Sequence, residues 1–330
     1  MTISRLGFTA AGAVALAVLL SGCSSRGETP LPVAQAVARG GSWIERGVAG
    51  HDLLYASNAN GIVNVYRYWQ QTLVGELTDF TQPEGQCTDA NSDVYITDYG
   101  ADAVVEYAHG GNAPLRTIDT TPYKPYACAI DPKTGDLAVA DYSNASYYSN
   151  GNVAVYAHAK GKPAYYSSSD LEHPNGLGYD NYGDLLVTGF MLYGSSSYTY
   201  TYFGYLPAKS KTFKVMDLPP PESSGWPYVD GIAWDGKYWV VDAYGTLYQY
   251  SINIKAELVG TVELNGRGSD GPVAFYYPNP KKQATQVVTT YGSENSSEVD
   301  YYDYPAGGSP IHEITHGLDK PFGVAISVRK

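Results

Sequence analysis

The chain has 330 residues, 16% of them charged, and a formal net charge of −12. That acidic, charge-poor balance excludes nucleic-acid recognition, which needs Lys and Arg clustered against phosphate. With 32 Tyr, 36 Gly and 20 Pro but only 3 Met, the composition suits strands and turns and predicts an all-β fold.

Residues 1–22 read as an export leader. Arg5 precedes an uncharged apolar run from Leu6 to Leu20, and Leu20-Ser21-Gly22-Cys23 closes it. The run is shorter than the roughly 20 residues that span a bilayer. The closing box resembles the bacterial lipoprotein signal, in which the Cys is acylated and becomes the new N-terminus. The resemblance implies lipidation at Cys23 and attachment to a bacterial membrane through that lipid. The folded part is then expected outside the cytoplasm, in the periplasm or at the cell surface. Loss of the leader removes Arg5 and leaves a net charge of −13. Residues 23–50 form the acylated end and a tether: Ser24 to Val48 is dominated by Ser, Gly, Pro and Ala without a sustained apolar period. A short helix around Val33 to Val37 would bury little.

From residue 51 to 330 a repeat governs the chain. A small apolar strand recurs at Leu53 to Ser57, Val94 to Asp98, Leu137 to Asp141, Leu185 to Gly189, Tyr238 to Asp242 and Gln286 to Thr290. A second strand follows at Val63 to Tyr66, Val104 to Tyr107, Val153 to Tyr156, Thr246 to Tyr250 and Val299 to Tyr304. Then comes a punctuating triplet: Pro83-Glu84-Gly85, Pro125-Tyr126-Ala127, Pro174-Asn175-Gly176, Val229-Asp230-Gly231, Ser269-Asp270-Gly271 and Pro321-Phe322-Gly323. Glycine at the third place admits a sharp turn into a crowded strand. Four strands in roughly 40 to 55 residues are the signature of a propeller blade. The expected architecture is a six-bladed β-propeller of four-stranded antiparallel blades. The last triplet supplies an inner strand after which the chain stops, whereas the first blade begins without one. Val324 to Val328 should therefore pair beside Leu53 to Ser57 and close the ring.

Two motifs lose their usual meaning in this frame. His312-Glu313-Ile314-Thr315-His316 matches HExxH, but the repeat makes it an outer strand, where four residues span about 13 Å and cannot hold one zinc at about 2.1 Å. Gly266 to Gly271 matches GxGxxG, but a strand rather than a helix follows, so no helix N-terminus meets a pyrophosphate. His109 and His158 occupy equivalent repeat positions and read as turn residues. Asp98, Asp141 and Asp242 close strands and are expected to accept backbone hydrogen bonds.

The triplets, strands and turns resemble the NHL-repeat and gluconolactonase-like (TolB-like) six-bladed propellers. Their middle residues, Glu84, Tyr126, Asn175, Asp230, Asp270 and Phe322, should meet at one mouth of the channel. Glu84, Asn175, Asp230 and Asp270 there could hold calcium or another divalent cation. Gluconolactonase-like enzymes use one Glu, two Asn and one Asp at such positions, the Asp doubling as catalytic acid/base. Asn175 and Asp230 match two of these in consecutive blades, and Asp230 would be the catalytic residue. Tyr126 stands where the other Asn belongs, Phe322 occupies the blade expected to supply the Glu, and Glu84 lies one blade away. Two readings stay open: a binding or scaffold propeller, monomeric, with no catalysis identified, and a metal-dependent lactonase-type hydrolase. Tyrosine clusters at Tyr147-Tyr148, Tyr165-Tyr166, Tyr198 to Tyr205 and Tyr301-Tyr302 exceed what packing needs and offer a polar-aromatic surface for a glycan or envelope protein. Cys87 and Cys128 lie in neighbouring inner strands with opposite parity and would face each other across the blade gap. A disulfide then depends on whether that gap keeps their Cα atoms within about 7 Å.

Overall fold

Period-2 strands whose successive side chains enter opposite blade gaps explain the near-continuous apolar runs of this chain. In the computed structural model, which describes residues 41–145, 150–169, 172–192, 199–221, 228–229, 231–253, 255–266, 268–269 and 271–330, those runs build six sheets. The leader, Cys23, the tether up to residue 40, Tyr147-Tyr148, Asp230 and Asp270 lie outside the described residues, as do the side chains at 192, 199 and 200.

The first blade contains β1 (Trp43–Ile44), β2 (Leu53–Asn58), β3 (Val63–Arg67) and β4 (Thr72–Leu77). The second is β5 (Pro83–Thr88), β6 (Val94–Asp98), β7 (Ala103–Tyr107) and β8 (Pro114–Asp119). The third is β9 (Tyr123–Ile130), β10 (Leu137–Asn144), β11 (Asn152–Tyr156) and β12 (Ala164–Tyr166). The fourth is β13 (His173–Tyr179), β14 (Leu185–Leu192), β15 (Thr199–Leu206) and β16 (Lys214–Met216). The fifth is β17 (Gly231–Trp234), β18 (Trp239–Ala243), β19 (Thr246–Ile252) and β20 (Ala256–Glu263). The sixth is β21 (Ala274–Tyr276), β22 (Gln286–Gly292), β23 (Ser297–Asp303) and β24 (His312–Ile314), after which β25 (Pro321–Ser327) returns to the first blade. The pairings between these strands are antiparallel. β25 lies beside β2 with Leu53 opposite Ser327 and Ala56 opposite Val324, so the C-terminal strand closes the ring as expected.

One apolar cluster fills each of the six gaps between consecutive blades. The parity is direct: Leu185 and Val187 enter the gap toward blade 3, while Leu186 between them enters the gap toward blade 5. Tyr301 and Tyr302 are likewise split between two gaps and buried, so this pair belongs to the core and not to a surface patch. Thr199–Leu206 is a full strand, β15, and its Tyr202 and Tyr205 pack against different gaps. Two features within the stretch read as tether join the fold. Trp43–Ile44 pairs with β4 as a fifth strand, and Val48 is buried in the gap between blades 1 and 2.

Triplet glycines set how closely the inner strands pack. A Cβ on Gly323 would lie 2.1 Å from Glu84 O, on Gly85 2.7 Å from Tyr126 O, and on Gly271 2.2 Å from Phe322 O. Each glycine thus abuts the middle residue of the next blade's triplet, a steric reason for Gly beyond turn geometry. Cys87 and Cys128 face each other across one such gap, with Cα atoms 5.6 Å apart and sulfurs at 2.11 Å. His312, Glu313 and Ile314 pair with Tyr301, Asp300 and Val299 in an outer strand, which removes the helical geometry that HExxH requires.

Candidate functional site: an aromatic channel mouth

In each blade the start of the inner strand is antiparallel to the end of the next strand, so these two places share one end of the ring. His173 is opposite Phe190, Gly231 opposite Asp242, and Pro83 opposite Asp98. The aromatic side chains at this end touch one another in series. Phe322 and Tyr126, whose strands flank β5 and its Glu84, meet edge to face with centroids 5.1 Å apart. Tyr126 then contacts Tyr142 at 5.3 Å, Tyr142 contacts His173 at 4.9 Å and Phe190 at 5.5 Å, Phe190 contacts Tyr228 at 6.1 Å, and Tyr228 contacts Tyr244 at 6.4 Å. Tyr99 joins from blade 2 at 6.4 Å from Tyr126, with the Lys124 ammonium 5.8 Å from its centroid. Such offset and edge contacts suit the ring quadrupole.

Burial grades along this arc. Tyr142, His173 and Phe190 are buried, Tyr99, Tyr126 and Phe322 partly so, and Tyr228 and Tyr244 are 37% and 65% exposed. Tyr244 sits in a two-residue hairpin loop with Gly245, at φ 53° and 79°, between the paired Ala243 and Thr246. Loops of this type favour Asn, Asp or Gly at the first place, because left-handed backbone disfavours larger L-residues. A bulky, exposed Tyr there is a choice that neither packing nor turn chemistry explains.

Of the polar members expected at this mouth, the two described ones, Glu84 and Asn175, have protein hydrogen-bond partners. Asn175 is buried, donates from Nδ2 to Val229 O at 2.9 Å, and accepts at Oδ1 from Thr188 Oγ1 at 2.9 Å. Glu84 is buried and accepts from Gln82 Nε2 at 2.6 Å. Burial, reinforced by the nearby Asp98 charge and opposed by the Gln82 hydrogen bond, pushes the Glu84 carboxyl up to about 7. Among the described residues no group of three His, Cys, Asp or Glu side chains is placed to hold a metal ion; Asp230 and Asp270 are not among them.

Of the three strand-closing aspartates, Asp98 behaves as a turn acceptor, receiving Thr81 N at 2.9 Å, Gln82 N at 2.8 Å and Ala101 N at 3.2 Å. Asp141 does not: it is buried and neither carboxylate oxygen has a hydrogen-bond partner among the described residues, contrary to the expectation. Asp242 is buried opposite Gly231. His109 and His158 are turn residues; His109 is held between Ser327 Oγ at 2.6 Å and His51 O at 3.1 Å, and His158 meets Thr134 O at 2.7 Å.

Tyr126 and Phe322 belong to the predicted ring of middle residues. Tyr99, Tyr142, Phe190, Tyr228 and Tyr244 do not, although the sequence carries a signal for three of them. Asp98-Tyr99, Asp141-Tyr142 and Gly189-Phe190 place an aromatic residue at the same repeat position in three consecutive blades.

No family model matches the sequence, and no curated protein matches it. Solved structures share its fold. A chain of the nidogen/laminin complex superposes with a TM-score of 0.61 at 14% identity, covering 84% of this chain and 99% of that one. Hydrazine synthase of Kuenenia stuttgartiensis gives 0.58 at 17% identity, over 77% and 81%. A protein of unknown function from Bacteroides caccae gives 0.60 at 10% identity, over 85% and 100%. At these identities the likeness is one of fold, and a propeller fold hosts many functions.

Proposed function

We propose that this protein is a lipid-anchored binding propeller that acts outside the cytoplasm and takes an uncharged glycan of the cell envelope on its aromatic mouth. The observation that carries the reading is the graded arc from Phe322 to Tyr244, ending in an exposed Tyr on a backbone that disfavours it. Strained, exposed residues persist where function holds them. Tyr offers an apolar face for the C–H side of a sugar ring and a hydroxyl for hydrogen bonding at its edge. The net charge of −12 disfavours polyanionic ligands and leaves neutral polymers as the better match. The lipoprotein-like box at Cys23 supports placement at a bacterial membrane.

The test is a binding titration of neutral envelope polysaccharides against the parent protein and the double variant Tyr228→Ala/Tyr244→Ala. Both side chains are partly or largely exposed, so their removal should leave the melting temperature within about 2 °C of the parent, as surface substitutions do. The expected result is saturable binding by the parent and a loss of tenfold or more in the variant, on the order of 1.4 kcal/mol. Equal binding by both proteins, or no saturable binding to any neutral envelope glycan, would reject the proposal.

A further inference from the structure

Two buried carboxylates of this propeller, Asp98 and Asp235, are surrounded by donors. Asp98 receives three backbone N–H groups. Asp235, fully buried, receives Lys237 N and Tyr238 N on one oxygen and Gln249 Nε2, Gln283 Nε2 and Tyr304 OH on the other. Asp141 breaks that pattern. It holds in blade 3 the place that Asp98 holds in blade 2, opposite the proline of the triplet on the inner strand, and is 1% exposed with both oxygens unpartnered among the described residues.

The cause lies in how the two blades begin. In blade 2 the inner strand starts at Pro83, and the preceding Thr81 and Gln82 turn their N–H groups onto Asp98. In blade 3 the equivalent residues, Tyr123 and Lys124, already belong to β9 and pair with Asn144 and Ser143. The Tyr123 N–H goes instead to Thr120 O. Asp141 therefore keeps its acid while losing its donors. Burial alone drives its carboxyl well above the ordinary range, with no neighbouring charge or donor opposing it.

Asp141 is not the only unpartnered group here. Asn152 stands directly opposite it on β11, 4% exposed, with neither its amide nitrogen nor its amide oxygen hydrogen-bonded among the described residues. Cross-strand partners share a face of the sheet, so the carboxylate and the amide are neighbours. Ser143, two residues further along β10, is fully buried and its hydroxyl has no hydrogen-bond partner among the described residues. Three buried polar side chains on two adjacent strands, none with a hydrogen-bond partner among the described residues, go against the rule that buried polar groups find partners.

We infer that Asp141, Asn152 and Ser143 form an oxygen-lined site for a hard metal cation, calcium or sodium in class, at the mouth end of blade 3. One carboxylate, one amide oxygen and one hydroxyl are ligands that such ions accept in flexible geometry, and a single negative charge corresponds to weak binding suited to ion-rich surroundings outside the cytoplasm. These three residues are not among Glu84, Asn175, Asp230 and Asp270, and the inference does not depend on the glycan reading.

The experiment uses the full chain, stripped with chelator and dialysed into choline chloride. Calcium and sodium are titrated separately at constant ionic strength, with thermal melting and calorimetry as readouts. The expected result is a saturable rise of several degrees with one of the two ions at one ion per chain, abolished in Asp141→Asn. Ser143→Ala, a smaller change, should shift the midpoint of the ion titration several-fold and keeps the test valid if Asp141→Asn fails to fold. A melting temperature indifferent to both ions would overturn the inference and leave a neutral Asp141 bridged by water. An ion effect kept in Asp141→Asn and lost in Asp230→Ala would place the ion at the channel mouth and overturn it equally.

Discussion

At Glu84 a single carboxyl couples stability to pH. Its folded value near 7 stands above the ordinary 4.5, chiefly through burial. An acid whose folded value is raised favours the native state fully below its unfolded value, and that contribution is lost as pH rises through the folded value. The difference corresponds to about 3 kcal/mol between acid and alkaline limits. Glu84→Gln keeps an oxygen for the Gln82 donor and removes the titration. It should melt with the parent at pH 4 and several degrees above it at pH 8; a difference that stays flat across that range would show Glu84 to be ionised and solvated in the native state. The pair Cys87 and Cys128, 41 residues apart, poses a second question at this scale. Cross-linking a loop of that size stabilises by about 4 kcal/mol in the chain-entropy account. Denatured, unreduced protein lacking the leader and its Cys23 should show no reactive thiol, and Cys87→Ala/Cys128→Ala should melt lower by on the order of 5–10 °C. Two reactive thiols would rule the bridge out.

Strand β25 shows what one element contributes to a closed ring. It brings Val324, Ala325 and Ile326 into the core and covers the inner edge of β2. Deleting residues 322–330 should expose that edge to pairing with other chains, giving aggregation or a large fall in melting temperature. A truncated monomer melting within 2 °C of the parent would mean that β25 does not close the ring. This closure was legible in the sequence because the sixth triplet supplies a strand for which the first blade has no other partner. The blades were legible for a related reason: strands buried on both faces leave apolar runs, and close strand approach leaves a glycine after the middle residue in five of the six triplets, Ala127 being the sixth. Other elements left weaker marks. Trp43–Ile44 is a two-residue strand, too short for any period to register. β15 is so rich in Tyr and Thr that it reads as surface until its pairing with β14 is seen. The donors missing at Asp141 follow from two residues joining a ladder, Tyr123 and Lys124, which no local pattern announces. The mouth was legible in part: equivalent repeat positions placed Tyr126 and Phe322 together, but Tyr228 and Tyr244 come from loops that the repeat does not align.

For the molecule as a whole, the question is why a neutral-ligand binding face would be combined with an anchor. A mouth built from a few stacked rings offers limited area, so its affinity for one glycan unit is expected to be modest. Holding the protein at the membrane raises its effective concentration near envelope polymers without any new contact, and many anchored copies engage one polymer together. On the proposed reading the lipid supplies retention while the rings supply selectivity, and the two would be separable by mutation. One acyl chain binds a membrane only marginally, whereas several hold it stably, so the anchor should behave as all or none with respect to Cys23. Cys23→Ala, expressed in a bacterial host, should leave the membrane fraction and the detergent phase. In solution it should bind the same polysaccharide with unchanged affinity, because the mouth is untouched. Unchanged detergent partitioning of Cys23→Ala would refute acylation at that residue while leaving the mouth to be judged by Tyr228 and Tyr244. A released protein that also lost its glycan binding would show instead that the N-terminal segment takes part in the site.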